Sequence, residues 1–579
     1  MWRMVSVWQA VAIDYDGTLT QGRRPEPDVL AAVREARAEG HAMVLVTGRI
    51  LSELRADFPE VDDEFDAIVA ENGAVLADVD GTRDLAAPVK PELAWALAHR
   101  DVVLRRGRVL LACDAAHAAT ALEEVGRLGL DCQLTRNRAA LMIMPAGVTK
   151  GTGLAEALGN LGISRHSVIA VGNAENDHTL LEACELGVAV ANAVDSLKRH
   201  ADLVLDEPDG AGMAGLLRGP VLDGSTRVEA RRWQLEVGHT AGGDSVRLPA
   251  SGVNVLITGG SGSGKSYLTG LLAEQLTRLE YSILVVDCEG DHVDLATRRG
   301  VLGLGGHEDL PEPHQLTRLL RHRVGSVVLD LSLLDADAQR SYLAAAAPLV
   351  LAQRAATGLP HWIFLDEAHT IPDDAELRTQ NSSVGATGYC YTTYRPEDLP
   401  PVVRDRLDYL IVTAGGNDGR EEAIAFAAHA SGHTTETIAE RLGDKHRDAL
   451  VLHLTGDTAP AAVRVAARTT RHIRHWHKYV NASLPPRLRF YFHDGGEVSA
   501  NLREFHRHLA SCPTETLTYH LARSDVSRWL AHVMADRGIA ATVAHIEAQS
   551  RSGAVMAEDA RQAIRSAIEA RYLEWPDLP

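Results

Sequence analysis

VAIDYDGTLT, residues 11–20, reads as an apolar strand that ends on Asp14, with Asp16 two residues on and Gly17-Thr18 forcing a turn. Alternation along a strand sets both carboxylates on one side, at the carboxyl end where open α/β sheets bind ligands. Standing alone, such a pair is equally well an acidic turn. Later segments give it context. HAMVLVTGR (41–49) is a strand ending in Thr47, a hydroxyl able to hydrogen-bond a phosphate oxygen. VTKGTGL (148–154) presents Lys150 at a helix start, and VIAVGNAENDHTLL (168–181) closes a strand with Gly172, Asn173 and Asp177. From residue 9 to 206, short Val/Ile/Ala runs alternate with helical stretches, the pattern of a doubly wound parallel sheet.

In this order the motifs resemble those of the haloacid dehalogenase superfamily, specifically the Cof-like phosphatases of its IIB subclass, with a cap between the second and third motifs. The resemblance covers about residues 9–218. It implies a Rossmann-like core at 1–84 and 148–218 with an inserted α/β cap at 85–147. Asp14 is then the nucleophile that forms an aspartyl phosphate, and Asp16 the acid and base. Thr47 and Lys150 hold phosphoryl oxygens, and Mg2+ rests on Asp14, the Asp16 carbonyl, Asn173 and Asp177. The implied substrate is a small phosphorylated metabolite such as a sugar phosphate or phosphoglycolate. Asn173 departs from the family's usual Gly-Asp, so one anionic ligand becomes neutral and metal affinity falls. A phosphate-binding sensor is the alternative. Arg49 and Asn72, in TGR and ENGA, match positions lining the same crevice.

DEPDGAGMAGLLRGPVLDGS (206–225) is rich in Gly, Pro and Asp and reads as a separator, so 219–250 is taken as a linker and approach to a second domain at 251–484. There, VNVLITGGSGSGKSYLTGLL (253–272) is an apolar strand, a glycine-rich loop and an amphipathic helix, the context that makes a P-loop. Gly259, Gly262, Gly264, Lys265 and Ser266 fit it. Glycines let backbone N–H groups close on phosphate, Lys265 reaches the terminal phosphates, and Ser266 ligates Mg2+. HWIFLDEAH (361–369) supplies Asp366 for the Mg2+ water shell and Glu367 to polarise the attacking water of ATP hydrolysis.

This block, about residues 226–470, resembles the HerA/FtsK ATPases through VVDCEGD (285–291) and GYCYTTYRPEDLPPVV (388–403). Tyr394 stands where that group commonly has a sensor glutamine, and there is no room for its preceding β-barrel. The helicase assignment therefore does not transfer. Such ATPases are typically ring oligomers whose neighbour supplies an arginine, which implies a homo-oligomer. Arg395, Arg404, Arg406 and Arg420 are candidates, though a surface salt bridge is the more ordinary role for each. An oligomeric nucleic-acid motor or defence-type complex is the second functional alternative.

Helical periodicity runs from LPPRLRFYF (484–492) to the end, giving a small helical domain at 485–579. His520, Arg523 and Asp525 there suit core and capping roles. His472, His475 and His477 lie among basic residues without carboxylate or cysteine at ligand spacing, so a basic surface strand is expected. A net charge of −20 disfavours broad attachment to nucleic acid or anionic lipid. Six cysteines without a CxxC pair fit neither a disulfide framework nor a zinc site and point to a reducing cytoplasm. The opening residues read as a buried strand rather than a signal peptide, and the longest uncharged stretch, near 341–353, is too short to span a membrane.

Overall fold

The computed structural model describes residues 8–573 except 138, 261–262, 307, 324, 371–386, 416–418, 444–447, 457–458, 471–479, 481–483, 485, 494–497 and 535. The sequence-predicted Gly262 and the histidines 472, 475 and 477 lie outside the described residues.

The strand Ala10–Asp14 is buried at every position because AVAID offers nothing polar until its last residue. It pairs in parallel with Ala42–Val46 on one side and Val168–Gly172 on the other. Burial on both sides is what a continuous apolar run, without alternation, requires. These strands are the centre of an eight-stranded sheet, which continues through Leu186–Ala189 to Leu203–Val204 and, oppositely, through Ala67–Ala70 to the antiparallel Val75–Asp78 and Gly81–Asp84. Helices cover its core, including Lys150–Leu161, which opens on a Thr149 capping box and stops at Gly162 in the left-handed region.

A separate four-stranded sheet, in the order Arg105–Arg106, Leu111–Asp114, Ala140–Pro145 and Cys132–Asn137, lies within the expected cap. The stretch VVLRRGRVLLAC (102–113) forms two strands, because Gly107 turns the chain so that its N–H bonds the Leu110 carbonyl. The separator at 206–225 is also partly structured. Residues Asp209–Leu217 form a helix that buries Met213, Leu216 and Leu217, so its small residues serve close packing rather than flexibility.

The second sheet has eleven strands, in the order Ser245–Pro249, Gln234–His239, Ala461–Val465, Asp448–His453, Tyr409–Thr413, Asn254–Thr258, Tyr389–Thr393, Trp362–Leu365, Ile283–Asp287, Ser326–Asp330 and Val301–Gly305. The hairpin Gln234–His239/Ser245–Pro249 falls in the stretch read as a linker. Its alternating QLEVGH and SVRLP form the sheet's antiparallel edge. At the C-terminal end, the helices from Leu502 to Ile568 enclose a core that includes Phe505, Leu517, Trp529, Leu530 and Ile564. Among the described residues no helix is long and apolar enough to cross a membrane.

The two sheets join at the ends where their central strands begin. His166, just before Val168–Gly172, stacks on Tyr281 with centroids 3.6 Å apart, and its Nδ1 is 2.6 Å from Glu185 Oε2. The Tyr281 hydroxyl donates to the same carboxylate at 2.7 Å, and Ser251 bonds its other oxygen. Tyr281 itself precedes Ile283–Asp287. The carboxyl ends of both sets of strands, which carry the chemistry, are therefore the ends away from this junction.

Candidate functional sites

Parallel pairing of Asp14 with Val46 brings the first motif level with Thr47, which follows the neighbouring strand. Lys150, the first residue of its helix, reaches the same point: its Nζ donates to Asp14 Oδ1 at 2.5 Å and to Asp177 Oδ1 at 2.6 Å. All three side chains are buried. Asp177 is fixed in turn, since its Oδ2 accepts the N–H groups of Asn173 at 2.8 Å and Ala174 at 2.9 Å. Gly172 makes this approach possible, because a Cβ there would stand 2.6 Å from Asp177 Cβ.

Burial, then Asp177, pushes the Asp14 carboxyl up to about 7 against the pull of Lys150. Burial opposes the charge of Lys150, but Asp14 and Asp177 outweigh it and raise its pKa. Asn173 is buried beside them, and neither its Oδ1 nor its Nδ2 has a hydrogen-bond partner. A buried amide left bare costs about 1–3 kcal/mol, so the arrangement fits a ligand supplied from outside the chain.

Asp16 is turned to Arg49. The guanidinium Nε is 3.0 Å from both carboxylate oxygens and Nη2 is 2.6 Å from Oδ1. Arg49 also lies over the Tyr15 ring and donates to Asp57 at 3.0 Å. Thr47 is fully buried and its hydroxyl accepts the Arg49 N–H at 3.1 Å. Thus Asp14, Lys150, Asn173 and Asp177 are gathered, whereas Asp16 is at the rim in an ion pair.

In the second sheet the loop after Asn254–Thr258 passes so close to Tyr409–Thr413 that a Cβ on Gly259 would stand 2.3 Å from Thr413 Oγ1. Gly259 and Gly264 both have positive φ, which their lack of Cβ allows. Lys265 folds back on the loop, donating to the Gly259 carbonyl at 3.1 Å and that of Gly260 at 2.9 Å. Burial lowers its pKa, with Glu367 and Asp366 resisting. Ser266 occupies the next helical position.

Asp366 and Glu367 follow Trp362–Leu365, two strands from the P-loop strand. Asp366 is buried and its Oδ2 accepts no hydrogen bond; burial, then Asp287, raises its pKa well above the usual carboxylate range. Burial, then Glu289, pushes Glu367 up to about 7 against Lys265. Glu367 also has a φ of 48°, a left-handed conformation costly for a side chain of this kind. Strain at this residue is consistent with a held functional geometry.

Residues 11–93 and 127–217 match the family described as haloacid dehalogenase-like hydrolase. A phosphoglycolate phosphatase of Methanothermobacter thermautotrophicus is 33% identical over 221 residues, covering 36% of this chain and 97% of that protein. The chain belongs to the haloacid dehalogenase-like hydrolases. A phosphoglycolate phosphatase of Archaeoglobus fulgidus is 32% identical over 222 residues, 36% of this chain and 96% of that protein. A solved haloacid dehalogenase-like hydrolase from Bacteroides thetaiotaomicron is 20% identical, covering 36% of this chain and 98% of that one at a TM-score of 0.32. Residues 236–337 match the family described as helicase HerA, central domain. The protein is a phosphatase of the first family fused to a HerA-like ATPase unit.

Several residues of this hydrolase escaped sequence reading. Glu71 is wholly buried and its carboxylate accepts the N–H groups of Arg108, Val109 and Leu110, at 2.8, 2.9 and 3.1 Å, tying the core to the chain that enters the small sheet. Only its place beside Asn72 in ENGA marked it. His369 stands with its Nδ1 3.2 Å from Glu367 Oε2 and 3.0 Å from Thr393 Oγ1. Tyr394, in place of the expected glutamine, lies edge-on to His369 with centroids 4.9 Å apart and takes Arg395 over its face. Of the arginine candidates, Arg404 pairs with Glu397 at 2.8 Å and Arg420 donates to the Gly443 carbonyl at 2.9 Å. Arg406 presents its own carbonyl to Asn254. Arg395 is exposed beside Tyr394, with its Nη1 3.9 Å from Asp398 Oδ2.

Proposed function

We propose that the first unit hydrolyses a small phosphorylated metabolite, a phosphoglycolate or sugar phosphate, with Mg2+, and that the second unit binds and hydrolyses ATP. The observation that carries the first part is the Lys150 bridge between Asp14 and Asp177 beside the bare amide of Asn173. Lys150 takes one oxygen of Asp14 and leaves the other, and it leaves Asp177 Oδ1 a second lone pair, so Asp14, Asn173, Asp177 and the Asp16 carbonyl remain able to hold Mg2+. When bound, Mg2+ neutralises charge on the phosphoryl group.

An Asp14 oxygen attacks phosphorus and the ester P–O bond breaks, while Asp16 gives its proton to the departing alkoxide. Asp16 then takes a proton from water, whose oxygen attacks the aspartyl phosphate. Phosphate leaves and the Asp14 carboxylate is restored. Thr47 and Lys150 position the phosphoryl oxygens, and the small sheet near Glu71 selects the organic part. Asp16 performs this work once substrate has drawn Arg49 from it. In the second unit, Gly259 and Gly264 shape the phosphate loop, Lys265 and Ser266 bind phosphate and Mg2+, Asp366 would hold the Mg2+ water shell, and Glu367 orients the attacking water.

A second reading, a phosphate-ester sensor with weak turnover, is supported by the Asp16–Arg49 pair and by the neutral Asn173. Turnover and equilibrium binding of the same phosphomonoester panel, with and without Mg2+, separate the two. Turnover that Asp14→Asn abolishes supports the hydrolase; tight binding without turnover supports the sensor. For the second unit, assembly into a homo-oligomeric ring follows from its likeness to HerA, with Arg395 as the arginine offered to a neighbour. The acidic chain is proposed to act in the cytoplasm without nucleic acid. ATP hydrolysis stimulated by DNA, with a steep salt dependence, would instead support a motor.

A further inference from the structure

We infer that the HerA-like unit holds a second divalent cation, a first-row transition ion bound without nucleotide by Asp287, His292 and Asp366. One donor atom from each lies within 4.8 Å of the other two. The residues are 0%, 0% and 4% exposed, so water does not solvate them.

The chain makes this convergence in two steps. Asp287 ends the strand Ile283–Asp287 and Asp366 follows its parallel neighbour Trp362–Leu365, with Val286 opposite Leu365, so both carboxyls emerge at one end of the sheet. Asp287 then folds its own following turn. Its Oδ1 accepts the N–H groups of Gly290 at 2.7 Å and Asp291 at 3.1 Å, and its Oδ2 that of His292 at 2.8 Å. Gly290 completes the turn with a φ of 81°. The imidazole is thereby laid against Asp366, with Nε2 3.8 Å from Oδ2.

Asp366 Oδ2 is the independent observation, since it is buried and accepts no hydrogen bond. A bare buried oxygen costs about 1–3 kcal/mol. An ion placed between it and His292 Nε2 supplies the missing partner. Metal–ligand distances of about 2.1 Å bring donors to about 3–3.5 Å of one another, so the side chains close by about 1 Å. Asp287 keeps its backbone bonds because Oδ2 accepts a single N–H group and has a second lone pair for the ion.

The donor set selects the ion. One imidazole with two carboxylates suits Mn2+, Fe2+ or Zn2+, whereas Mg2+ prefers an octahedral shell of oxygens and retains its waters. The site adjoins that of the Mg2+ that accompanies ATP, which uses Ser266. It shares Asp366 with the ATP reading but requires no nucleotide. Its ion locks the 287–292 turn to the strand end that carries Asp366 and Glu367.

The test uses the full chain carrying Asp14→Asn, stripped with EDTA and titrated with Mn2+ in the absence of ATP, read by electron paramagnetic resonance. The expected result is a bound Mn2+ whose spin echo shows nitrogen coupling, a signature the histidine-free first site does not give. His292→Asn should weaken binding at least tenfold and remove the coupling, while Ser266→Ala leaves both unchanged. No bound Mn2+, bound Mn2+ without nitrogen coupling, or loss in Ser266→Ala rather than His292→Asn would each overturn the inference. The coupling is read on intact His292, so the inference stays testable if His292→Asn does not fold. ATP titration of the same protein reports separately on the nucleotide reading.

Discussion

Replacing Lys150 by Met removes the cation between two buried carboxylates and leaves most of the side-chain volume. Its Nζ lies 2.5 Å from Asp14 and 2.6 Å from Asp177, and the three side chains are 1%, 5% and 0% exposed, so little water is present to screen what remains. Removing one partner from such a set costs about 3–5 kcal/mol. Met at a buried position contributes less than about 1.5 kcal/mol of that through packing. The unfolding transition of the phosphatase unit, followed in urea at pH 7.5 with EDTA, should weaken by that amount. Asp14 is already pushed up to about 7, chiefly by burial. Without Lys150 it rises further and keeps its proton at neutral pH. A protonated carboxyl is no nucleophile, so phosphate release should fall by about a hundredfold or more. Lys150→Met/Asp14→Asn should recover about half of the lost stability and none of the activity, since Asn is neutral without the proton that Asp14 must take up on folding at pH 7.5. If Lys150→Met unfolded within about 1 kcal/mol of the natural protein and kept its rate within about threefold, the charge-bridge account of Lys150 would be wrong.

Gly73→Ala should destabilise the phosphatase unit by at least about 2 kcal/mol by thermal melting, because its φ is 106° and the new Cβ would stand 1.9 Å from the Thr149 carbonyl oxygen. ATP hydrolysis should rise with pH through about 7 as Glu367 loses its proton. The linked stability runs oppositely: with the folded pKa above the usual glutamate value of 4.5, this glutamate's contribution is full below about 4.5 and is lost as pH climbs through about 7, which urea unfolding of the natural protein across that range, without ATP, reads. Lys265→Ala should abolish ATP binding in calorimetry while phosphate release measured without ATP is unchanged, because the sheets join at the ends away from both sites.

Both sheets were legible where chemistry sits at a strand end. AVAID, AMVLV and NVLIT are apolar runs that close on a polar residue or a glycine turn, and their parallel neighbours fix the rest. What stayed hidden is set by distant chain segments. Nothing near Asp16 announces that Arg49, 33 residues on, holds it. Glu71 reads as a loop acid, and its three backbone partners lie 37–39 residues further along. His292 looks like a surface residue until Asp287 bends the turn that buries it. The edge hairpin was missed because QLEVGH and SVRLP are short, and a Gly-Gly-Asp turn resembles a linker. The helix Asp209–Leu217 was obscured by its three glycines, two of which permit contacts of 2.4–2.7 Å from where a Cβ would be.

Mg2+-dependent phosphate release from a small phosphomonoester panel that includes phosphoglycolate and sugar phosphates, compared between the natural protein and Asp14→Asn, decides whether the first unit turns over a phosphate ester. Release should need Mg2+ and disappear in Asp14→Asn while the fold, read by circular dichroism, is kept. Equal release from both proteins, or none from either across the panel at millimolar Mg2+, would contradict this expectation.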